Sequence, residues 1–155
     1  IYESKIAADT PAHLAQALAT AKARAVAAQH PDDTVCGFDT VVECNGEVFG
    51  KPRDEADALR MLRALSGCTH KVHTGVCICR GNRAAATVET TLVQFSPIEE
   101  EDLLAYVHTP EPYDKAGAYA IQGHAALWCA GIAGCYYNIM GLPVHRAAQL
   151  LREFR

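Results

Sequence analysis

The sequence predicts one α/β (α+β) domain, a mixed central β-sheet flanked by helices with a substrate cleft, on three observations. Alanine- and leucine-rich segments with helical spacing are interleaved with β-rich segments. Asn45-Gly46 and Gly81-Asn82 are tight-turn dipeptides placed to fold β-rich neighbours into hairpins. The 155 residues, half of them apolar, suffice to bury one substantial core but not two.

Each element has its own signal. Thr10 followed by Pro11 is an N-cap with proline at the first helical position, and the alanine-rich run beyond predicts a helix towards Gln29. Leu14, Leu18, Ala21 and Ala25 form its expected apolar stripe, with Lys22 at the edge. Residues 34–43 are β-rich, with the acid Asp39 in their midst, and Asn45-Gly46 turns them into a short partner at 47–49. Asp54 caps a second helix whose core face is Ala58, Met61, Leu62 and Leu65, and Gly67 ends it. Residues 71–80 and 83–95 predict a long hairpin, the latter alternating through Val88, Thr90 and Leu92. Ser96-Pro97-Ile98-Glu99 reads as a capping box opening a helix with Leu103, Leu104 and Tyr106. Residues 110–123, rich in Pro, Gly and Tyr, are expected to be irregular and to display chemistry. Residues 128–140 return to apolar and β-branched types, suiting a dimer surface around Trp128 and Tyr136 as well as core, and a last helix runs towards Arg155.

Composition narrows the function. A formal net charge of -4 argues against wrapping nucleic acid, which needs a basic face, so an anionic substrate must meet a few local cations. No apolar run approaches the roughly 18 residues of a membrane span, and residues 1–10 lack the order of a signal peptide. Seven cysteines, an odd number without a C-x-x-C pair, suit a reducing, cytoplasmic compartment. Cys77 and Cys79 share one face of a strand, which could hold a metal but more often fills a core. His70 and His73 point to opposite faces, and no H-E-x-x-H occurs, which argues against zinc.

Four places put charge where neighbours look buried or tightly turned. Asp39-Thr40 lies between Gly37-Phe38 and Val41-Val42, so its carboxylate could bind a hydrated metal or orient water, or simply bond a neighbouring turn. Gly50-Lys51-Pro52-Arg53 is a stiff turn whose cations Lys51 and Arg53 could grip phosphate, or a solvated basic turn. Residues 113–123 hold adjacent opposite charges, two tyrosines and Gln122, which can read a base edge or a phosphate, though an ordinary surface ion pair explains the charges equally. Lys22 either serves the same site or snorkels from its helix. Neither G-x-x-x-x-G-K-[ST] nor G-x-G-x-x-G occurs, which removes the P-loop and the usual dinucleotide fold.

Taken in order, the strings Ala21-Lys22-Ala23-Arg24-Ala25, Gly37-Phe38-Asp39-Thr40-Val41-Val42, Gly50-Lys51-Pro52-Arg53, Leu65-Ser66-Gly67-Cys68-Thr69-His70-x-Val72-x-Thr74-Gly75, Asp114-Lys115-Ala116-Gly117-Ala118-Tyr119-Ala120-Ile121-Gln122-Gly123 and Tyr137-Asn138-Ile139-Met140-Gly141-Leu142-Pro143 closely resemble the Maf family across almost the whole chain. The resemblance implies a pyrophosphatase that cleaves nucleoside triphosphates between the α and β phosphates with a divalent cation, magnesium or manganese. It also implies a fold related to inosine triphosphate pyrophosphatases. The strings around Asp39 and Asp114 look like the branch acting on dTTP and UTP. Carried over by position, the resemblance makes Asp39 the central acid, as base or as metal ligand, with Glu3 as a second carboxylate that would share the metal. Lys51 and Lys22 become phosphate-facing cations, Gln122 a substrate- or water-orienting group, and Thr40 the neighbour of the acid.

Phe38 stands where alanine is usual in similar proteins, and Cys135 sits in the Gly-x-Tyr turn. Similar proteins also open with a strand and a Ser-x-Ser-Pro-Arg-Arg loop that precedes the point matched by Ile1, so the single domain over residues 1–155 is expected to be part of a longer protein. The alternatives are a nucleotide-binding regulatory module, linked to septum formation and without turnover, and a house-cleaning enzyme for modified nucleotides.

Overall fold

Thr10 opens the first helix as the sequence predicts: its hydroxyl accepts the His13 amide proton at 3.1 Å. The computed structural model describes residues 6–155, so Glu3 lies outside the described residues. Helix α1 (Pro11–Ala27) is followed by strand β1 (Val35–Cys44), a turn with Asn45 and Gly46 both at positive φ, and β2 (Glu47–Phe49). Helix α2 (Glu55–Leu65), capped by Asp54 on the Asp57 amide at 2.8 Å, leads to the long hairpin of β3 (Thr69–Arg80) and β4 (Arg83–Phe95). Then come α3 (Glu100–Tyr106), three 3-10 turns (Glu111–Asp114, Ala116–Ala118 and His124–Trp128), β5 (Cys129–Ala133), α4 (Tyr136–Ile139) and α5 (Val144–Arg152).

The class is the expected one, helices around a central sheet, in strand order β2-β1-β3-β4-β5. The expectation of mixed pairing is corrected in one respect: every ladder among the described residues is antiparallel. Two of the ladders are hairpins, α2 returns the chain beside β1 in the reverse direction, and the 96–128 connection brings β5 back against β4 reversed. β2 pairs only with residues 42–44 of β1, so residues 35–41 have no strand on that side among the described residues.

Helix α1 crosses one face of the sheet, and two glycines decide how closely. A Cβ on Gly37 would stand 2.6 Å from the Ala19 carbonyl oxygen, and one on Gly75 would stand 2.2 Å from that of Ala15. The buried stripe is therefore Ala15, Leu18, Ala19, Ala23 and Ala27, whereas Ala25, expected to be inward, is exposed. Small side chains bring helix and strand backbones together, and that contact outweighs the leucine-centred stripe. Cys77 and Cys79 lie under the same helix, their Sγ atoms 3.7 Å apart, as core. Burial pushes the Cys77 thiol up to about 11, so it stays neutral and unreactive.

The opposite face packs Val42, Val72, Val93 and Phe95 against α2, α3 and the 3-10 turns, and Val76 and Ile78 against Phe154 beyond α5. Trp128 is core, edge-on to Tyr106 at 4.8 Å, while Tyr136 is exposed. The capping box at Ser96 does not form, and α3 starts at Glu100 without a side-chain cap. Ser96 is instead held extended by Gly67 and Trp128 through backbone hydrogen bonds at 3.2 and 2.9 Å, while Ser66 Oγ accepts from the Ile98 amide at 2.8 Å. No helix among the described residues is long and apolar enough to cross a membrane.

Candidate active site

Asp39 and Thr40 are neighbours on β1 and so point to opposite faces of the sheet. Asp39 lies across from Gly75, on the face covered by α1. Because the two glycines let α1 sit close, Lys22 of α1 reaches Asp39 and donates from Nζ to its Oδ1. Both side chains remain partly accessible from a cleft of about 560 Å³ that wraps round the edge of β1 left uncovered by β2, a volume suited to a small-molecule ligand.

Thr40, on the other face, bonds Thr74 Oγ1 at 2.8 Å, and Thr74 Oγ1 donates to the Asn138 carbonyl at 3.0 Å. The Thr74 proton is thereby committed, so Thr40 is the donor in their shared bond and offers the cleft lone pairs only. Asn138 is fully buried and donates to Val72 O at 3.1 Å and Thr91 Oγ1 at 2.8 Å. This chain of bonds fixes the segment after α4, from which Met140 and Gly141 form one lip of the cleft.

Lys51 follows β2 and lines the cleft, as do Asp114 and Lys115. The two loops are tied by Gly117 N–H donating to Gly50 O at 3.1 Å. Gly117, at φ 75°, is needed there: a Cβ would meet Val42 Cγ2 at 2.8 Å. Lys115 Nζ stands 2.7 Å from Asp114 Oδ1, and that bond holds the Asp114 carboxyl below its ordinary range. Among the described residues the cleft is lined by three cations (Lys22, Lys51, Lys115) and two carboxylates (Asp39, Asp114), a cationic excess in a chain of net charge -4. Such an excess favours a polyanion.

The cleft wall also includes Tyr119, whose hydroxyl is 2.6 Å from His70 Nε2. His70 is buried, and desolvation pushes its imidazole down to about 4. Folded His70 therefore stays neutral in the window from about 6.5 to 4, where an unfolded histidine takes up a proton. Its contribution to stability is complete above about pH 6.5 and is lost as pH falls towards 4. The stability difference between wild type and His70→Gln is expected to shift against the wild type by up to about 3 kcal/mol over that window; a difference independent of pH in urea titrations would contradict this.

The structure thus brings together Asp39, Lys22, Thr40 and Lys51 from the residues singled out by sequence, and leaves two aside. Arg53 does not line the cleft: its backbone N–H and Nε bond Asp57 Oδ2 at 3.0 and 3.4 Å, bracing the start of α2, and its side chain is 83% exposed. Gln122 is exposed in the turn after Ile121 and is also not among the lining residues. Asp114, Lys115 and Tyr119 were legible as a charged, glycine-bearing string, but nothing in the string says which of its side chains turn inward.

Residues 1–154 match the family described as Maf-like protein. This chain belongs to the Maf family. Its similarity extends to curated members: it is 50% identical over 151 residues to the dTTP/UTP pyrophosphatase of Koribacter versatilis (97% of this chain, 78% of the relative). It is also 50% identical over 152 residues to that of Symbiobacterium thermophilum (98% and 78%) and 47% identical over 146 residues to that of Carboxydothermus hydrogenoformans (93% and 78%). The Maf strings map onto the cleft: those around Lys22, Asp39, Lys51 and Asp114, and the segment before Pro143, each contribute lining residues.

Proposed function

We propose that this Maf-family chain hydrolyses dTTP and UTP to the nucleoside monophosphate and pyrophosphate. The observation that carries the proposal is Asp39 set among Lys22, Lys51 and Lys115 in one cleft, together with membership of a family whose similar members are named for that activity. Water attacks the α phosphorus, the bond from that phosphorus to the α–β bridging oxygen breaks, and pyrophosphate leaves with the bridging oxygen. Charge grows on the pyrophosphate as it departs, and ammonium groups fixed beforehand offset it without reorganising. In this scheme Lys51 and Lys115 serve the β and γ oxygens, and Lys22 keeps Asp39 oriented and meets the α phosphate. Asp39 accepts a hydrogen bond from the attacking water, and Thr40, committed as a donor to Thr74, accepts from another water.

A divalent cation fits this donor set. Among the described residues the lining offers carboxylate and hydroxyl oxygens and no histidine or cysteine, and no three His, Cys, Asp or Glu side chains cluster to cage a metal. That suits magnesium or manganese, which keep water and take substrate phosphates alongside one or two carboxylates. Asp39 would hold the ion, with Glu3 proposed as the second carboxylate; the ion supplies charge neutralisation on the phosphates and acidifies water. Seven cysteines without a C-x-x-C pair support a cytoplasmic setting.

The test is pyrophosphate release from a panel of nucleoside triphosphates with magnesium or manganese, alongside nucleotide binding. Release is expected to be fastest with dTTP and UTP. Tight binding with no release would replace the enzyme by a regulatory module, and preference for a modified nucleotide would replace the substrate.

A further inference from the structure

The wall of the cleft that carries Asp114 and Lys115 belongs to a loop, residues 111–124, whose two ends meet at one side chain. Glu111 opens the loop, and its carboxylate accepts the His124 amide proton through both oxygens, at 3.3 and 3.2 Å. Tyr106 of α3 donates its hydroxyl proton to Glu111 Oε2, and the same hydroxyl oxygen accepts from the Ala120 amide at 3.4 Å. Gly123 packs against the carboxylate so closely that a Cβ there would lie 2.0 Å from Glu111 Oε1. The Tyr106 ring is buried, lies 25° from parallel to the His124 imidazole at 6.0 Å, and abuts Trp128. Burial first, and then the facing Glu111 carboxylate, push its hydroxyl well above the usual tyrosine range, so it remains a donor. The middle of the loop is pinned separately by the Gly117 bond to Gly50.

We propose that Glu111 is the clasp of this loop, a positioning residue that acts through the backbone of residues 120–124 to hold Asp114 and Lys115 at the phosphate cleft and to set where Gln122 stands. Glu111 touches no reacting atom in this scheme. Its carboxylate closes the loop at one end while Gly117 fixes the middle, so the loop has two anchors and losing one lets the wall shift. The kinetic consequence rests on the pyrophosphatase reading; the geometric claim does not.

The experiment compares wild type, Glu111→Ala, Glu111→Gln and Tyr106→Phe by steady-state kinetics on UTP and dTTP, by amide hydrogen exchange over residues 120–124, and by thermal melting. Glu111→Ala is expected to lower kcat about a hundredfold, since displacing a site wall by an ångström costs that much, with KM changed less. Its amides at 120–124 are expected to exchange at least about tenfold faster. Glu111→Gln can accept from the His124 amide and donate to the Tyr106 oxygen, so it is expected to restore most of both readouts. Should Glu111→Ala fail to fold, Tyr106→Phe carries the test, with faster exchange at residue 120 and a smaller fall in kcat. Melting temperature lowered with kcat and local exchange unchanged would overturn the proposal. Wild type that releases no pyrophosphate would remove the pyrophosphatase reading and leave exchange alone to decide the clasp.

Discussion

Asp39→Asn is expected to lower pyrophosphate release about a thousandfold while the melting temperature stays within about 5 °C of the wild type. Asparagine keeps the shape of the side chain and an oxygen that can accept from Lys22, so the packing between β1 and α1 is preserved. What it removes is the negative charge that orients water and would hold a divalent cation, in a cleft where the remaining lining is dominated by cations. The two measurements belong together, because a dead enzyme that has also unfolded says nothing about chemistry. A variant with kcat within about tenfold of the wild type would show that Asp39 is not the acid at the heart of the reaction.

The second large effect is structural. Gly75→Ala is expected to destabilise the fold by about 3 kcal/mol, towards the upper end of overpacking costs. The added methyl would lie 2.2 Å from the Ala15 carbonyl oxygen and 2.7 Å from Gln16 Cα, both backbone atoms of α1 that cannot swing aside. Relief requires lifting the helix, which also draws Lys22 from Asp39, so residual activity should fall beyond the loss of folded protein. Gly131→Ala is the control, because a Cβ there meets nothing within 4 Å; its effect should stay within about 0.5 kcal/mol. Equal urea midpoints for the two variants would contradict the close seating of α1.

Much of this was written in local sequence. The Thr10-Pro11 and Asp54 helix starts, the Asn45-Gly46 turn and the long hairpin over 71–95 each follow from residues a few positions apart, where backbone preference and capping act. The misplaced features depend on contacts distant in sequence. The inward stripe of α1 shifted to Ala15, Ala19 and Ala23 because Gly37 and Gly75, on two different strands, create the hollow that receives it. Ser96 looked like a helix cap but is held extended by Gly67 and Trp128. The site divides in the same way. Asp39 stood out as an acid among β-branched residues and Lys51 as a cation in a stiff turn, whereas Arg53 looked equivalent to Lys51 until Asp57 claimed it. Glu111 carried no local signal, since its partners His124 and Tyr106 are identified only by the closed loop.

The most direct test of the central claim is the identity of the products. Phosphorus NMR of UTP incubated with the protein and magnesium is expected to show uridine monophosphate and pyrophosphate appearing in equal amounts, with no nucleoside diphosphate at any time. Uridine diphosphate with inorganic phosphate would mean that the bond broken is the terminal one and would contradict the account of how Asp39, Lys22 and Lys51 divide the triphosphate.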